Sequence, residues 1–252
     1  MNKAGIFITV RLASTRLPYK AVKEVAGKKI LEFLIDRIKA FNANEEIFIC
    51  TTKLPEDSLL DMVASQNDVN CYHGHADNLL QRHLACAMEN GIEFIVNVDG
   101  DDIFCNPELI GRVISLYLST KGQYDIIKTI DYPFGTNVMA YKTEVLRKII
   151  ENKENEKIDT GWGSLFNDSR FNIYIIQAEE DEQDQVRLTL DYEEDFLLFK
   201  HLIESLNMAN QVVKQNDIIN YIKSNPETRN INSDCDEKYW ENFHAKVKEE
   251  GR

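Results

Sequence analysis

Short apolar runs alternate with amphipathic segments along the first half of the chain. Residues 5–10 (GIFITV) have the pattern of a buried strand, and residues 30–41 place their apolar side chains at helical spacing. The same alternation predicts strands at 46–51, 70–72 and 94–98, and helices at 56–66, 78–90 and 107–121. Strands that alternate with helices indicate an α/β fold with a mainly parallel central sheet and helices on both faces.

The second half of the chain is less regular. We expect strands at 125–129, 138–141, 173–177 and 187–190, and helices at 143–152, 193–206, 215–223 and 238–249. The acidic run at 179–184 is typical of a solvated loop. The last helix has an apolar side, and we expect it to pack on the body of the protein or on a partner subunit. The chain therefore divides into a main domain at 1–210 and a C-terminal helical extension at 211–252.

The composition narrows the class of protein. The 252 residues include 29 basic and 42 acidic side chains, which gives a net charge of −13. This acidity argues against binding to nucleic acid or to a membrane surface, because both require a cationic face that meets phosphate. The first apolar run is too short for a signal peptide or a membrane span. The five cysteines show no paired spacing. We therefore expect a cytoplasmic protein with free thiols.

The segment after the first strand holds a cluster of cations and hydroxyls. Arg11, Arg16 and Lys20 flank Ser14 and Thr15. In an open parallel sheet, ligands bind beyond the carboxyl ends of the strands, and the first loop is a usual place for phosphate. Arg engages phosphate oxygens in pairs, and Lys adds a compact charge. The segment lacks the glycines of a Walker or GxGxxG loop. A solvated basic loop is the alternative to a triphosphate site.

Carboxylates follow two of the predicted strands. Asp99, Asp101 and Asp102 come directly after the strand at 94–98, and Asp191 follows a later predicted strand. Neighbouring carboxylates repel one another, and a hard cation such as Mg²⁺ supplies the counter-charge while it stays available to phosphate oxygens. Turns and helix caps are the alternative roles for each aspartate group taken alone. Together with the cationic segment, these aspartates predict a metal–nucleotide site.

Three motifs, in order and spacing, resemble those of one enzyme family. They read RLASTRLPYK (11–20), VNVDGDD (96–102) and LTLDYEED (188–195). Over about residues 4–206 the chain is similar to the cytidylyltransferases that activate acidic sugars. This family includes the 3-deoxy-manno-octulosonate and acylneuraminate enzymes and the spore-coat-polysaccharide type. The resemblance implies a nucleotide-diphospho-sugar-transferase-like, Rossmann-like fold, usually in a homodimer.

The resemblance also implies roles for the residues that match the family's motifs. Arg11, Arg16 and Lys20 would hold the phosphates of CTP and act in catalysis together with Asp101. Asp101 and Asp191 would bind Mg²⁺, the expected cofactor. Further candidates for nucleotide binding are Leu12, Ser14, Asp77, Arg82 and Asp99.

The implied activity is transfer of CMP from CTP to an acidic sugar, or to a related phosphorylated or phosphonate acceptor, with release of pyrophosphate. Such an enzyme would supply precursors of surface polysaccharides or glycoconjugates. The alternatives are a GT-A-type glycosyltransferase that uses a nucleotide-sugar donor, and a non-catalytic nucleotide-binding module.

The chain departs from the family's pattern in four places. Tyr19 stands where Gly is common, and Asp99 replaces a more usual Gln or Thr. Segment 132–137 lacks the acidic residue that is often found there, and segment 158–164 lacks an acidic–arginine–glutamate–histidine run. Trp162, in the last segment, is a candidate for the wall of the acceptor pocket or for the core.

Overall fold

The computed structural model describes residues 3–42, 44–151, 157–158, 160–180 and 182–249. The strands in these residues are β1 (Ala4–Thr9), β2 (Glu24–Val25), β3 (Lys28–Lys29), β4 (Glu46–Thr52), β5 (Asn70–Gly74), β6 (Phe94–Asp99), β7 (Ile126–Ile130), β8 (Met139–Lys142) and β9 (Ile173–Gln177). The α-helices are α1 (Ile30–Phe41), α2 (Leu59–Gln66), α3 (Leu79–Asn90), α4 (Pro107–Ser119), α5 (Thr143–Ile150), α6 (Glu193–Ser205), α7 (Gln215–Ser224) and α8 (Cys235–Glu249).

Seven strands form one sheet in the order β5-β4-β1-β6-β8-β7-β9. The first four are parallel, β8 is antiparallel to both of its neighbours, and β9 is parallel to β7. Strands β2 and β3 form a separate hairpin. The pairing of β1 with β6 places Thr9 beside Asp99. The loop after β1 therefore lies next to the aspartates that follow β6.

A close backbone approach fixes this junction. The amide of Gly100 donates a hydrogen bond to the carbonyl of Thr9 at 2.8 Å. A Cβ atom at position 100 would lie only 2.6 Å from Val10 Cβ, so a glycine is required between the two aspartates that flank it.

Side chains of β1 alternate between two hydrophobic cores. Ile6 and Ile8 belong to a core with α1, α4 and α6 on one face of the sheet. Phe7 belongs to a core with α3 and α5 on the other face. Because helices cover both faces, the central strands are almost wholly apolar. The α/β fold with helices on both faces is confirmed, and the cysteines are free thiols as expected.

Capping residues explain where two of the helices begin and end. The side chain of Asn78 accepts a hydrogen bond from the Gln81 amide at the start of α3, and Gly91 ends that helix with a φ of 65°. The side chain of Asn106 caps α4, whose first residue is Pro107. The predicted ends of α3 and the start of α4 at Pro107 follow from these local signals.

The strand predicted at 187–190 is wrong. All four residues are described, and they contribute only an isolated bridge between Arg187 and Phe134. The amide of Leu188 donates to the Phe134 carbonyl, and the amide of Leu190 donates to the Asp101 carbonyl. The segment thus bonds to two loops rather than to a sheet edge. Asp191 consequently follows a loop and not a strand.

The helix predicted at 56–66 divides into two parts. A 3₁₀ turn at Pro55–Ser58 precedes α2. Asp57 in this turn is buried, and its carboxylate accepts hydrogen bonds from the backbone amides of Leu12 and Thr52. These bonds hold the turn against the ends of β1 and β4.

The C-terminal residues pack on the body of the protein. Ile218 and Ile222 of α7 join the core that contains α1. The division into domains at residue 210 stays a prediction. The helix predicted at 143–152 ends at Ile150, and Asn152 lies outside the described residues, as does Asp181 of the acidic loop. In the described part of the chain, no helix combines the length and apolarity that a membrane crossing requires.

Candidate active site

A cleft of about 480 Å³ lies at the carboxyl ends of β1 and β6. Its walls are the loop after β1, the aspartates after β6, segment 160–164 and one face of α8. The structure brings most of the candidate residues to this cleft, namely Arg11, Ser14, Arg16, Lys20, Arg82, Asp99, Asp101 and Asp191. Leu12 and Asp77 are not among the described residues that line it: Leu12 is buried in the core, and Asp77 is exposed.

Residues 11–20, here called the cationic loop, fold back on themselves. The carbonyl of Leu12 accepts hydrogen bonds from the amides of Ser14 at 2.8 Å and Tyr19 at 3.1 Å. The amide of Leu12 donates to Asp57 Oδ1 at 2.7 Å. Tyr19 has a φ of 57°, in the left-handed region that favours glycine. The loop therefore has a fixed shape in which its three cations face the cleft.

Lys20 connects Asp101 and Asp191, the two aspartates for which the family resemblance implies a metal. Its Nζ lies 2.6 Å from Asp101 Oδ2 and 3.1 Å from Asp191 Oδ1. It also donates to the carbonyl of Leu190 at 2.5 Å. Burial alone would lower the pKa of Lys20, but the two carboxylates outweigh burial and raise it. Lys20 is therefore a charged bridge between Asp101 and Asp191.

Asp191 is buried and contacts three cations. Arg16 and Lys20 bond to its Oδ1, and Arg187 Nη2 donates to its Oδ2 at 2.9 Å. Burial alone would raise the pKa of Asp191, but the three cations lower it to about 2. Asp195 supports this arrangement, because its carboxylate accepts from Arg187 Nε at 3.1 Å and from the Asp191 amide at 2.9 Å. Asp191 is thus held ionised and in one orientation.

Arg187 is a site residue that the sequence analysis missed. Its side chain is 2% exposed, and its Cζ lies 5.2 Å from the centroid of the Phe134 ring and 4.8 Å from that of Tyr239. A buried Arg needs carboxylate partners, and the sequence places acidic residues four and eight positions later, at Asp191 and Asp195. That spacing could have predicted Arg187 as the buried partner of the two aspartates.

Asp99, Asp101 and Asp102 form a second group of carboxylates. One oxygen of each lies within 4.8 Å of the others. Burial, together with the charge of Asp101, raises the pKa of Asp99 to about 6 and the pKa of Asp102 well above its usual range. Clustered carboxylate oxygens of this kind favour a hard divalent cation such as Mg²⁺ or Mn²⁺. The chemistry of these three residues fits a divalent cation. Asp191, the other predicted ligand, is not in this group and contacts three cations instead, so its part in metal binding stays a prediction.

A chain of hydrogen bonds runs from Asp99 into the protein interior. Asn97 Nδ2 donates to Asp99 Oδ1 at 3.0 Å, and Thr9 Oγ1 donates to Asn97 Oδ1 at 2.6 Å. His83 Nε2 lies 2.7 Å from Thr9 Oγ1, and its Nδ1 lies 2.7 Å from the hydroxyl of Tyr141. Because the Thr9 proton goes to Asn97, Nε2 carries the imidazole proton and Nδ1 accepts from Tyr141.

Arg82 lines the cleft but also shapes the loop before α3. Its Nε donates to the carbonyl of His75 at 3.0 Å, and its Nη2 donates to that of Ala76 at 3.3 Å. His75 Nδ1 accepts from the Asp77 amide at 3.1 Å. His75 thus shapes the turn before α3.

Trp162 both lines the cleft and packs against the core, the two positions expected for it. It lines the cleft, and its ring also packs edge-on against Tyr141 and Phe166, with centroids 6.4 and 5.7 Å apart. The neighbouring Asp159 lies outside the described residues.

Comparison with known proteins identifies the family. Residues 6–225 match the cytidylyltransferase family. The chain belongs to that family. An uncharacterized protein of Methanocaldococcus jannaschii is 27% identical to this cytidylyltransferase over 241 residues, which are 94% of this chain and 97% of that protein. The spore coat polysaccharide biosynthesis protein SpsF of Bacillus subtilis is 23% identical over 240 residues, or 90% and 97% of the two chains.

A 3-deoxy-manno-octulosonate cytidylyltransferase of Ruthia magnifica is 30% identical over 109 residues, which are 43% of this chain and 45% of that enzyme. Among solved structures, a cytidylyltransferase from Leptospira borgpetersenii superposes with a TM-score of 0.81 at 25% identity, and the match covers 91% of this chain and 97% of that one.

A Mycobacterium tuberculosis protein solved with manganese shares the fold, with a TM-score of 0.56 at 13% identity over 80% of this chain and 99% of that one. The family assignment makes this chain a CTP-dependent nucleotidyltransferase, which favours the expected reaction over a glycosyltransferase or a non-catalytic module.

Proposed function

We propose that this cytidylyltransferase transfers CMP from CTP to an acidic acceptor, releases pyrophosphate and uses Mg²⁺. The observation that carries the proposal is the bridge that Lys20 makes between Asp101 and Asp191. One small volume thereby contains a cation for the triphosphate and carboxylates for a metal. A glycosyltransferase has no leaving pyrophosphate, and so it does not need the cluster of cations on the cationic loop.

The reaction is a direct displacement at phosphorus. An oxygen of the acceptor forms a bond to the α-phosphorus of CTP, and the bond from that phosphorus to the α–β bridging oxygen breaks. Pyrophosphate leaves with the electron pair, and the proton of the acceptor passes to water. The protein contributes position and charge rather than a covalent nucleophile. Arg11, Arg16 and Lys20 bind the β- and γ-phosphates and stabilise the charge that develops on pyrophosphate.

The cations and carboxylates of the site exchange partners when CTP binds. Lys20 and Arg16, which bond to carboxylates in the structure, turn to the phosphate oxygens. Oxygens of Asp101 and Asp191 would then be available to hold a divalent cation, with Asp99 and Asp102 close to Asp101. Mg²⁺, when bound, neutralises charge on the phosphates and helps to orient the attack. The manganese in the Mycobacterium tuberculosis protein, which has the same fold, supports the use of a divalent cation.

The acceptor is an acidic sugar or a related phosphorylated or phosphonate compound. Support comes from the relatives, one of which is a 3-deoxy-manno-octulosonate cytidylyltransferase and another a spore coat polysaccharide biosynthesis protein. Their names also support a role in precursor synthesis for surface polysaccharides or glycoconjugates. The expected homodimer and the cytoplasmic location stay predictions.

Pyrophosphate release tests the proposal. The protein is incubated with Mg²⁺, each of the four nucleoside triphosphates, and a panel of 3-deoxy-manno-octulosonate, glucuronate, glycerol 3-phosphate and methylphosphonate. We expect pyrophosphate with CTP and at least one acceptor, and none without an acceptor. Asp101→Asn abolishes turnover, whereas Asp217→Asn, an exposed aspartate on α7, leaves it intact. In a parallel incubation a nucleotide sugar replaces the triphosphate, and its consumption without pyrophosphate release would favour the glycosyltransferase instead.

A further inference from the structure

Helix α8 lies outside the part of the chain that matches the family, yet it forms a wall of the active cleft. The family match ends at residue 225, and α8 begins at Cys235. Tyr239, Phe243 and Lys246 of this helix line the cleft opposite the aspartates. Phe243 and Lys246 are three residues apart, so both lie on the same face of the helix. Both are only partly buried and can reach a bound molecule.

Polar contacts hold α8 to the segment that leads into α6. Asp236 accepts from Arg187 Nη1 at 3.2 Å. Asn242 Nδ2 donates to the hydroxyl of Tyr192 at 3.1 Å. Because Arg187 also holds Asp191, the position of α8 is coupled directly to that of the candidate metal site.

Apolar contacts hold the helix to the opposite wall. The ring centroids of Tyr239 and Phe134 are 5.3 Å apart. Gly161 has a φ of 66°, and a Cβ atom there would lie 2.7 Å from Val247 Cγ2 and 3.5 Å from Phe243 Cζ. A glycine at 161 therefore permits the last turns of α8 to approach the loop at 160–164. Helix α8 therefore contacts the cleft wall through Tyr239 near its start and through Phe243 and Val247 near its end.

The position of each side chain along α8 separates two regions of the cleft. The Tyr239 ring lies 5.6 Å from Arg16 Cζ and so marks the triphosphate end. With a rise of about 1.5 Å per residue, Phe243 and Lys246 are about 6 and 10 Å farther along the helix. The family match at residues 6–225 already contains the cations expected to bind the triphosphate, Arg11, Arg16 and Lys20. Phe243 and Lys246 lie farther along α8 than the triphosphate end of the cleft, and they are therefore placed to meet the acceptor.

We propose that Phe243 and Lys246 form part of the acceptor subsite, where Phe243 packs on an apolar face of the acceptor and Lys246 pairs with its anionic group. The ligand class is a small carboxylated or phosphorylated molecule that also presents an apolar surface, such as a sugar acid. This inference rests on the proposed function.

Kinetics of three variants test the inference. Lys246→Met removes the charge at the wall, Phe243→Ala removes the ring, and Lys248→Met removes an exposed charge of the same helix that does not line the cleft. Pyrophosphate release is measured with CTP and the four acceptors named above, and CTP affinity is measured separately by calorimetry. Lys246→Met should raise the KM for the preferred anionic acceptor at least about tenfold, because a charge-assisted contact is lost. Phe243→Ala should also raise it, and Lys248→Met should not.

CTP affinity distinguishes the outcomes. The inference requires CTP affinity within about twofold of wild type in both cleft variants, which also shows that they are folded. Weaker CTP binding with an unchanged acceptor KM would assign Lys246 to the triphosphate and overturn the inference. Unchanged values for both substrates would overturn it as well, while the proposed function stands. If the wild-type protein binds CTP but releases no pyrophosphate with any acceptor, the proposed function itself fails and this inference fails with it.

Discussion

His83 Nε2 donates a hydrogen bond to Thr9 Oγ1 across 2.7 Å, and this contact joins helix α3 to the strand that leads into the cationic loop. The imidazole is fully buried, and burial lowers its pKa to about 3. A neutral ring is what the contact requires, because the other nitrogen accepts from Tyr141.

The free energy of unfolding should therefore decrease as the pH falls through the range between the pKa values of His83 in the unfolded and folded states. Below a pH of about 6.5 the unfolded chain binds a proton at His83 that the folded protein does not bind. The free energy of unfolding then decreases from about pH 6.5 to about pH 3, by up to about 1.4 kcal/mol per pH unit from this group. Above pH 6.5 the contribution is constant.

Urea unfolding at pH 7, 5.5 and 4 measures this effect. Carboxylates also titrate in this range, so the comparison is with His83→Gln, which has no titrating ring. The variant should be less stable at pH 7 but should lose less stability on acidification. Parallel pH profiles for the two proteins would rule out the buried neutral imidazole.

Arg187→Met should destabilise the protein by about 3–5 kcal/mol, because it leaves the buried carboxylates of Asp191 and Asp195 without their shared cation. Arg170→Met is the matched control. Its partner Asp168 is at the surface, and Arg170 is 67% exposed, so the change in the free energy of unfolding should be small. Chemical denaturation measures both values. Equal small losses in the two variants would contradict the importance of the buried pair.

Tyr19→Gly should be more stable than Tyr19→Ala by about 1 kcal/mol. Both substitutions remove the same half-exposed ring, but only glycine adopts a φ of 57° without a steric penalty. Thermal unfolding of the two variants side by side gives the difference. An alanine variant as stable as the glycine variant would show that the loop relaxes out of the left-handed conformation.

Lys20→Met should weaken CTP binding at least about tenfold, since it removes a cation from the triphosphate site. Lys23→Met removes a charge three residues later that pairs with Glu193 near the surface, and it should change CTP affinity little. Calorimetric titration with CTP in the presence of Mg²⁺ compares them. Similar CTP affinities for the two variants would contradict the role of Lys20 in binding the triphosphate.

Local signals made much of the fold predictable. The bounds of α1 are those that its apolar spacing predicts, because helical periodicity and burial on one side are properties of the segment itself. The meeting of the cationic loop with Asp99 and Asp101 was also predictable, because parallel strands end at a common edge and β1 pairs with β6.

Two parts of the site depend on contacts between distant residues and could not be read from local pattern. Alternating Val186, Leu188 and Leu190 imitate a strand, but hydrogen bonds to Phe134 and Asp101 decide the path of the chain. Because the segment was predicted as a strand, Arg187 was not among the expected site residues. The apolar side of α8 was predicted from its sequence. Its packing against the cleft, however, depends on Gly161, which lies more than seventy residues earlier in the chain.

The bridge from Lys20 to Asp101 and Asp191 has a consequence for the order of events during turnover. If Asp101 and Asp191 hold the metal as proposed, the ammonium group of Lys20 would compete with a divalent ion for the same oxygens. A bound triphosphate would relieve that competition by attracting the ammonium group, and each ligand would increase the affinity for the other. Metal and nucleotide should therefore bind synergistically, and departure of pyrophosphate should restore the lysine bridge and release the ion.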